Sequence, residues 1–290
     1  MSTPAALTPP AWRTARFELV LDAPRVMAIV NVTPDSFATG TGSSSAAELA
    51  RAGIAHAESQ ARAGAELLDI GGESTRPGAA PVPPEEELAR VLPVVQAAVG
   101  WGLPISVDTS EPVVMQAVLD AGADIVNDVR ALRRDSALAV LAAHGRAGIV
   151  AMHMRGEPAT MQQLADYDDV VGAVRGFFDE RLAAFEAAGI AAGRVVLDPG
   201  IGFAKTAAHN LELLRRQREL LACGRPLLVG WSRKSTLGVL TGREVGERLP
   251  ASIAAALAAV AAGAAILRVH DVAATVDALK VWRAAQSAAA

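Results

Sequence analysis

Polar and charged residues recur at or beside the ends of short apolar runs along this chain. Asn31 follows the run 26–30, and Asp69 sits near the end of the run 65–70. Asp108 follows 105–107, Asn127 follows 125–126, His153 follows 149–152 and Asp198 follows 195–197. Arg268 and His270 follow 266–267. One such residue alone is more simply a loop hydrogen bond, but this many on one rim of strand ends make a site. Arg268 and His270 are two apart, so on a strand they share a face. A guanidinium suits phosphate oxygens bidentately, and barrels often take phosphate near strands seven and eight. A salt bridge to a neighbour such as Asp271 is the competing fate of Arg268. Arg76 offers a second guanidinium. Asp108, Asn127 and Asp198 supply two acceptors and an amide. They fit a flat heterocycle with amino and ring N–H donors, or else a structural polar network. Lys234 and Ser235 lie in a Ser-Arg-Lys-Ser run ahead of a helix, where Ser235 could help hold an anion. Such a run taken alone is usually solvated. Asn31 and Asp35 are hard oxygen donors of the kind that suit Mg²⁺ shared with a pyrophosphate. No Cys or His set has zinc spacing, and the Gly-x-Ser-x-Gly nucleophile signature is absent. His56, His144 and His209 read as structural or surface residues.

These side chains need a scaffold that ends many strands at one rim. The stretch 67–78 shows the plan: an apolar run containing Asp69, then Gly71-Gly72, then a loop with Glu73, Ser74, Thr75, Arg76 and Pro77. The two glycines free the backbone to leave the strand. Eight such strands are predicted, separated by alanine-rich helical segments at 46–63, 85–99, 112–121, 136–143, 170–188, 210–222 and 249–262, with a last helix at 272–285. Continuous apolar strands alternating with helices predict a parallel sheet covered by helices, and eight pairs close most naturally into a single (β/α)8 TIM barrel. An open doubly wound sheet competes, but no Gly-x-Gly-x-x-Gly follows the first strand. Residues 16–21 are expected to form a short N-terminal capping segment at the barrel bottom. Long loops are expected at 33–45 and 73–84, after strands one and two. Residues 1–14, rich in Pro, Ala and Thr, are expected to be a mobile tail, and 15–290 one barrel domain.

The chain has 290 residues, 51% apolar and 20% charged, with a net charge of -4. That balance describes a folded soluble protein and gives no electrostatic footprint for nucleic acid. The one cysteine, Cys223, allows no intrachain disulfide and fits a reducing compartment. The first residues lack the pattern of a signal peptide, and the most apolar stretch, 253–267, is too short to span a bilayer. A cytoplasmic location with no membrane partner is expected.

Several motifs resemble those of the dihydropteroate synthases, in that family's order. They are Met27-Ala28-Ile29-Val30-Asn31-Val32-Thr33-Pro34-Asp35-Ser36-Phe37, Asp69-Ile70-Gly71-Gly72-Glu73-Ser74-Thr75-Arg76-Pro77-Gly78, Ser106-Val107-Asp108-Thr109, Asn127-Asp128-Val129 and Met152-His153-Met154. Leu197-Asp198-Pro199-Gly200-Ile201-Gly202-Phe203, Ser232-Arg233-Lys234-Ser235 and Arg268-Val269-His270-Asp271 complete the set. The resemblance covers about 16–285. It implies a pterin-binding barrel that joins 6-hydroxymethyl-7,8-dihydropterin pyrophosphate to p-aminobenzoate in folate biosynthesis, and that is a sulfonamide target. It implies that Asp108, Asn127, Asp198, Gly202, Phe203 and Lys234 hold the pterin. Asn31, Thr75, Arg76, Arg268 and His270 would hold pyrophosphate, with Mg²⁺ at Asn31 and Asp35. Phe37, Thr75, Pro77, Lys234 and Ser235 would shape the p-aminobenzoate pocket. Asp108, Asp198, Lys234, Arg268 and His270 would carry the catalysis, and the family suggests a homodimer. After Phe37 the family commonly has Ser-Asp-Gly-Gly, whereas this chain has Ala38-Thr39-Gly40-Thr41. A methyltetrahydrofolate-dependent methyltransferase barrel and a non-catalytic pterin-binding homologue are the other readings.

Overall fold

The structure, a computed structural model, describes residues 10–37, 45–76 and 78–287, with the side chains of Asp35, Phe37 and Ser287 outside the description. The chain begins with a hairpin, β1 (Ala11–Arg13) against β2 (Glu18–Val20), paired antiparallel. Then come β3 (Arg25–Asn31), α1 (Pro34–Phe37), α2 (Ala46–Arg62), β4 (Leu67–Gly71), α3 (Pro84–Ala98), β5 (Ile105–Asp108), α4 (Pro112–Asp120), β6 (Ile125–Asp128), α5 (Ala137–His144) and β7 (Gly148–Met152). The second half carries α6 (Val170–Ala187), β8 (Val195–Asp198), α7 (Ala207–Arg215), β9 (Leu228–Val229), α8 (Ser235–Thr241), α9 (Leu249–Ala261), β10 (Ile266–Val269) and α10 (Val272–Ser287).

β3 to β10 form one parallel sheet in the order β8-β7-β6-β5-β4-β3-β10-β9. A further parallel bridge, Leu197 to Leu227, joins its two ends. The expected eight strands and the TIM barrel are therefore present. Several helix starts have a local cause. Ser45 and Glu48 form a capping box for α2, and Thr206 and His209 do the same for α7. Asp169 caps α6 by accepting from the Val171 N–H.

Period-two alternation divides the strands into two cores. One face of each strand packs against the helices in the larger core, which includes Val30, Leu68, Val107 and Leu197. The other face fills the barrel interior with Met27, Leu67, Ile125, Val150, Val196, Leu228 and Ile266. Trp12 and Leu21 seal this layer from below. Trp12 is fully buried, and its indole Nε1 donates to the Arg194 carbonyl at 2.9 Å.

Three expectations change. Part of the expected 1–14 tail is a strand: 11–13 pair with the predicted capping segment because Trp12 completes the barrel core. Residues 1–9 lie outside the described residues. The helical segment 210–222 divides into α7 and a 3-10 stretch, Gln217–Cys223. A short helix, α1, falls within the loop expected at 33–45, and the helix expected beyond Lys234 is α8. The departing residues 38–41 of the first loop lie outside the described residues.

Candidate active site

Above the apolar layer, each strand places its next same-face residue in or beneath one cavity. Two positions beyond Met27, Val150 and Leu228 come Ile29, Met152 and Gly230. Two beyond Ile125, Val196 and Ile266 come Asn127, Asp198 and Arg268. All six line a cavity of about 590 Å³ at the C-terminal mouth of the barrel, within the range of small-molecule sites. Two beyond Leu67 comes Asp69, which does not line the cavity and is fully buried beneath it.

Asp69 ties this polar layer together. Its Oδ1 accepts from the Ser106 hydroxyl at 2.6 Å. Its Oδ2 accepts from Asn127 Nδ2 at 3.0 Å and from Arg268 Nε at 2.5 Å. Arg268 also donates from Nη2 to Asp108 at 2.8 Å. The guanidinium thus spans two carboxylates on adjacent strands, β4 and β5. The competing Arg268–Asp271 pair does not form; Asp271 is held by Arg233 at 2.6 and 3.0 Å.

Burial raises the Asp108 pKa, with Arg268 pulling against it. Asp198 is also raised by burial, opposed by the Gly200 N–H at 2.7 Å and by Lys234, Arg268 and Lys205. Burial draws Lys234 down to about 8, although Asp198 and Asp108 favour its charge. Lys234 is half-buried and stands 4.3 Å from the centre of the Phe203 ring, so the solvated fate common for such a run does not apply. Burial works against the Arg268 charge, but Asp69 and Asp108 outweigh it and leave its pKa raised. His270 is lowered to about 3 by burial, then by Arg233 and Arg268. The imidazole is therefore neutral near pH 7, and its Nδ1 lies 3.0 Å from the Ser232 hydroxyl. At neutral pH it can offer an anion a hydrogen bond, while the charge comes from the arginines.

The cavity gathers Asn31, Thr75, Arg76, Asp108, Asn127, Asp198, Gly202, Phe203, Lys234, Ser235, Arg268 and His270. Of the residues expected at the site, Pro77 and the side chains of Asp35 and Phe37 lie outside the described residues. His153 is absent from the cavity lining. Met152 faces the cavity, so its successor turns to the opposite face, where His153 is buried beside Lys205. His209 belongs to a helix cap, His144 Nδ1 accepts from the Ala147 N–H, and His56 lies near Gln60, as structural residues would. Two residues were not legible as parts of the site. Lys205 sits beyond the strand-end pattern, and nothing in the sequence marks it as buried. Ser106 lies within a strand, where alternation from Asp108 could have placed it on the inner face.

For Mg²⁺, Asn31 is the one residue of the expected pair whose side chain is described, at the end of β3 and lining the same cavity as Arg268 and His270. No group of three His, Cys, Asp or Glu side chains among the described residues could hold a metal ion. A sparse oxygen set fits an ion carried largely by substrate phosphates and does not fit a metal cage.

The model of the family described as pterin binding enzyme matches residues 27–270. The dihydropteroate synthase of Neisseria meningitidis serogroup B is 53% identical over 278 residues, covering 94% of this chain and 96% of that one. A structure of the Xanthomonas albilineans dihydropteroate synthase with 4-aminobenzoic acid is 50% identical, with a TM-score of 0.89 over 96% of this chain and 99% of that one. The same enzyme in complex with 7,8-dihydropteroate is 48% identical, with a TM-score of 0.86 over 96% and 99% of the two chains. By sequence along almost its whole length, and by the barrel it forms, this chain belongs to the dihydropteroate synthase family of pterin-binding enzymes.

Proposed function

We infer that the protein is a dihydropteroate synthase. It condenses 6-hydroxymethyl-7,8-dihydropterin pyrophosphate with p-aminobenzoate, giving 7,8-dihydropteroate and pyrophosphate in folate biosynthesis. One observation carries the assignment of groups: a single cavity joins a buried acceptor set, Asp108, Asn127 and Asp198, to a rim of cations and donors, Arg268, His270 and Arg76. The acceptors match the amino and ring N–H groups of a pterin, with Lys234, Gly202 and Phe203 alongside. Asn31, Thr75, Arg76, Arg268 and His270 match the pyrophosphate. Thr75 and Ser235, with Phe37 and Pro77, belong to the p-aminobenzoate side. Thr75, Arg76 and Lys234 in the cavity speak against the methyltransferase reading, which has no pyrophosphate to bind.

The reaction breaks the bond between the pterin methylene carbon and the pyrophosphate oxygen, then forms the C–N bond to the arylamine. The amine gives up its proton as that bond forms, and the released pyrophosphate takes it up. Arg268 and Arg76 oppose the charge that builds on the leaving oxygen, and His270 adds a hydrogen bond. Asp108 and Asp198 oppose the positive charge that spreads over the pterin ring. Mg²⁺ held through Asn31 and Asp35 would supply Lewis-acid stabilisation to the pyrophosphate. No protein nucleophile is required.

The protein is proposed to be cytoplasmic and homodimeric. No described helix is long and apolar enough to cross a membrane. Large apolar residues Val239, Leu240, Val245 and Leu249, close together in sequence, are exposed and offer a pairing surface. Purified protein with Mg²⁺ should form dihydropteroate and release pyrophosphate only with both substrates, and sulfonamides should compete with p-aminobenzoate. Absence of product while pterin pyrophosphate still binds would favour the non-catalytic reading. Arg268→Ala should weaken pterin pyrophosphate by roughly 10-fold to 100-fold, the scale of a lost charged contact, and a plain pterin much less. Calorimetric titration showing equal losses for the two ligands would remove its pyrophosphate role.

A further inference from the structure

The loop leaving β8 is folded in a way its own residues do not favour. Gly200, Gly202 and Ala204 all have positive φ, at 67°, 83° and 51°. Glycine accepts this region, whereas alanine adopts it only where the surroundings impose it. A Cβ built at Gly200 would stand 2.0 Å from the His153 carbonyl oxygen, so the loop backbone lies directly against the segment after β7.

Lys205 supplies the imposed contacts. Its side chain does not line the cavity, and the residue is 3% exposed. Its ammonium donates to the carbonyls of Gly200 at 3.1 Å and Phe203 at 3.0 Å. It also lies 2.9 Å from His153 Nδ1, which accepts the third N–H. Its three donors thus face four acceptors, two carbonyls on the loop and, after the neighbouring strand, His153 Nδ1 and the His153 carbonyl at 3.4 Å. On the cavity side the same loop presents Ile201, Gly202 and Phe203. Its Gly200 N–H donates to Asp198.

We propose that Lys205 is a positioning residue for the pterin: its ammonium fixes the loop after β8 so that Asp198 and Phe203 hold the ring. This rests on the assignment of Asp198, Phe203 and Lys234 to the pterin. Burial lowers the Lys205 pKa to about 7, while Asp198 favours its charge. Burial thus works against the charge of this ammonium, and Asp198, the carboxylate it helps to place, works for it.

Lys205→Met keeps the length of the side chain and removes its donors. The KM for pterin pyrophosphate should rise about tenfold, the scale of a lost charged hydrogen bond, with the KM for p-aminobenzoate within about twofold of wild type. Asp198→Asn, measured in parallel, should also raise the pterin KM and so checks the pterin assignment itself. If Asp198→Asn weakens the pterin substrate while Lys205→Met leaves it unchanged or shifts both KM values together, the positioning role is overturned and the assignment stands. If neither variant affects the pterin substrate, the assignment fails and takes the proposal with it. Should Lys205→Met not fold, His153→Leu removes one acceptor and should give the same asymmetry at about threefold; equal KM changes for the two substrates would overturn the role.

Discussion

A buried carboxylate that accepts from a hydroxyl, an amide and a guanidinium fixes all three at once. Asp69 does this for Ser106, Asn127 and Arg268. Asp69→Asn would turn one acceptor into a donor facing groups that already donate, and would remove the charge opposite Arg268. The expected loss in kcat/KM for pterin pyrophosphate is about 30-fold to 150-fold, from roughly 2–3 kcal/mol for a charged hydrogen bond. Steady-state kinetics on the folded variant would check this, and wild-type kcat/KM would remove the organising role. The presence of Asp69 at a strand end was readable from the sequence. Its partners were not, because alternation gives the face of a side chain and says nothing of what meets it across a barrel. Arg268 is 199 positions away. His153 shows the same reasoning left incomplete. Counting two from Val150 puts Met152 in the cavity and turns His153 away, so parity was a better guide than mere position at the end of a run.

At the level of elements, α3 begins with an acid that has little to pair with. Glu87 is 1% exposed, and neither carboxylate oxygen has a hydrogen-bond partner of ordinary geometry among the described residues. It packs at the base of the second loop, where a Cβ at Gly72 would meet the Glu87 carbonyl at 3.0 Å. Burial raises its pKa to about 8, against a pull from Thr109 and with added repulsion from Glu73, Asp108 and Glu111. Between the ordinary value of 4.5 and about 8, the folded chain keeps a proton that the unfolded chain has released. Stability therefore falls as pH rises across that window. Glu87→Gln should flatten this dependence and raise the melting temperature near pH 8 by about 2–4 °C, a shift that roughly 1 kcal/mol produces in a chain of this size. Thermal melts at several pH values would test it, and parallel slopes for the two proteins would count against the account. The helices themselves were largely legible from apolar spacing and C-terminal glycines. The exception, α1, is only four residues long and carries too little periodicity to stand out.

For the molecule as a whole, the barrel divides into a lower half that holds it shut and an upper half that reacts. β9 contributes only two residues, and the Leu197–Leu227 bridge completes the circle. Beneath them Trp12 fills the interior, a contribution hidden in the sequence because a proline-rich start reads as tail. A lone tryptophan there was the available signal. Trp12→Ala should cost about 3–5 kcal/mol of stability, the usual scale for emptying a buried aromatic site. Denaturant unfolding would measure that loss, and kinetics should show both KM values within about twofold of wild type. A large KM change at full stability would contradict the division into halves. In the upper half, Arg268 is flanked by Asp69 and Asp108, so the three groups together are net negative when both acids are ionised. A free phosphate ion approaching Arg268 meets a guanidinium already shared by two carboxylates, one of which, Asp108, lines the cavity. Only a ligand that also engages Asp108 through donor groups repays the disturbance of that cluster. The same contact that steadies Arg268 therefore favours a ligand that brings donors along with its anion, while Arg76 and Lys234 add positive charge to the same cavity.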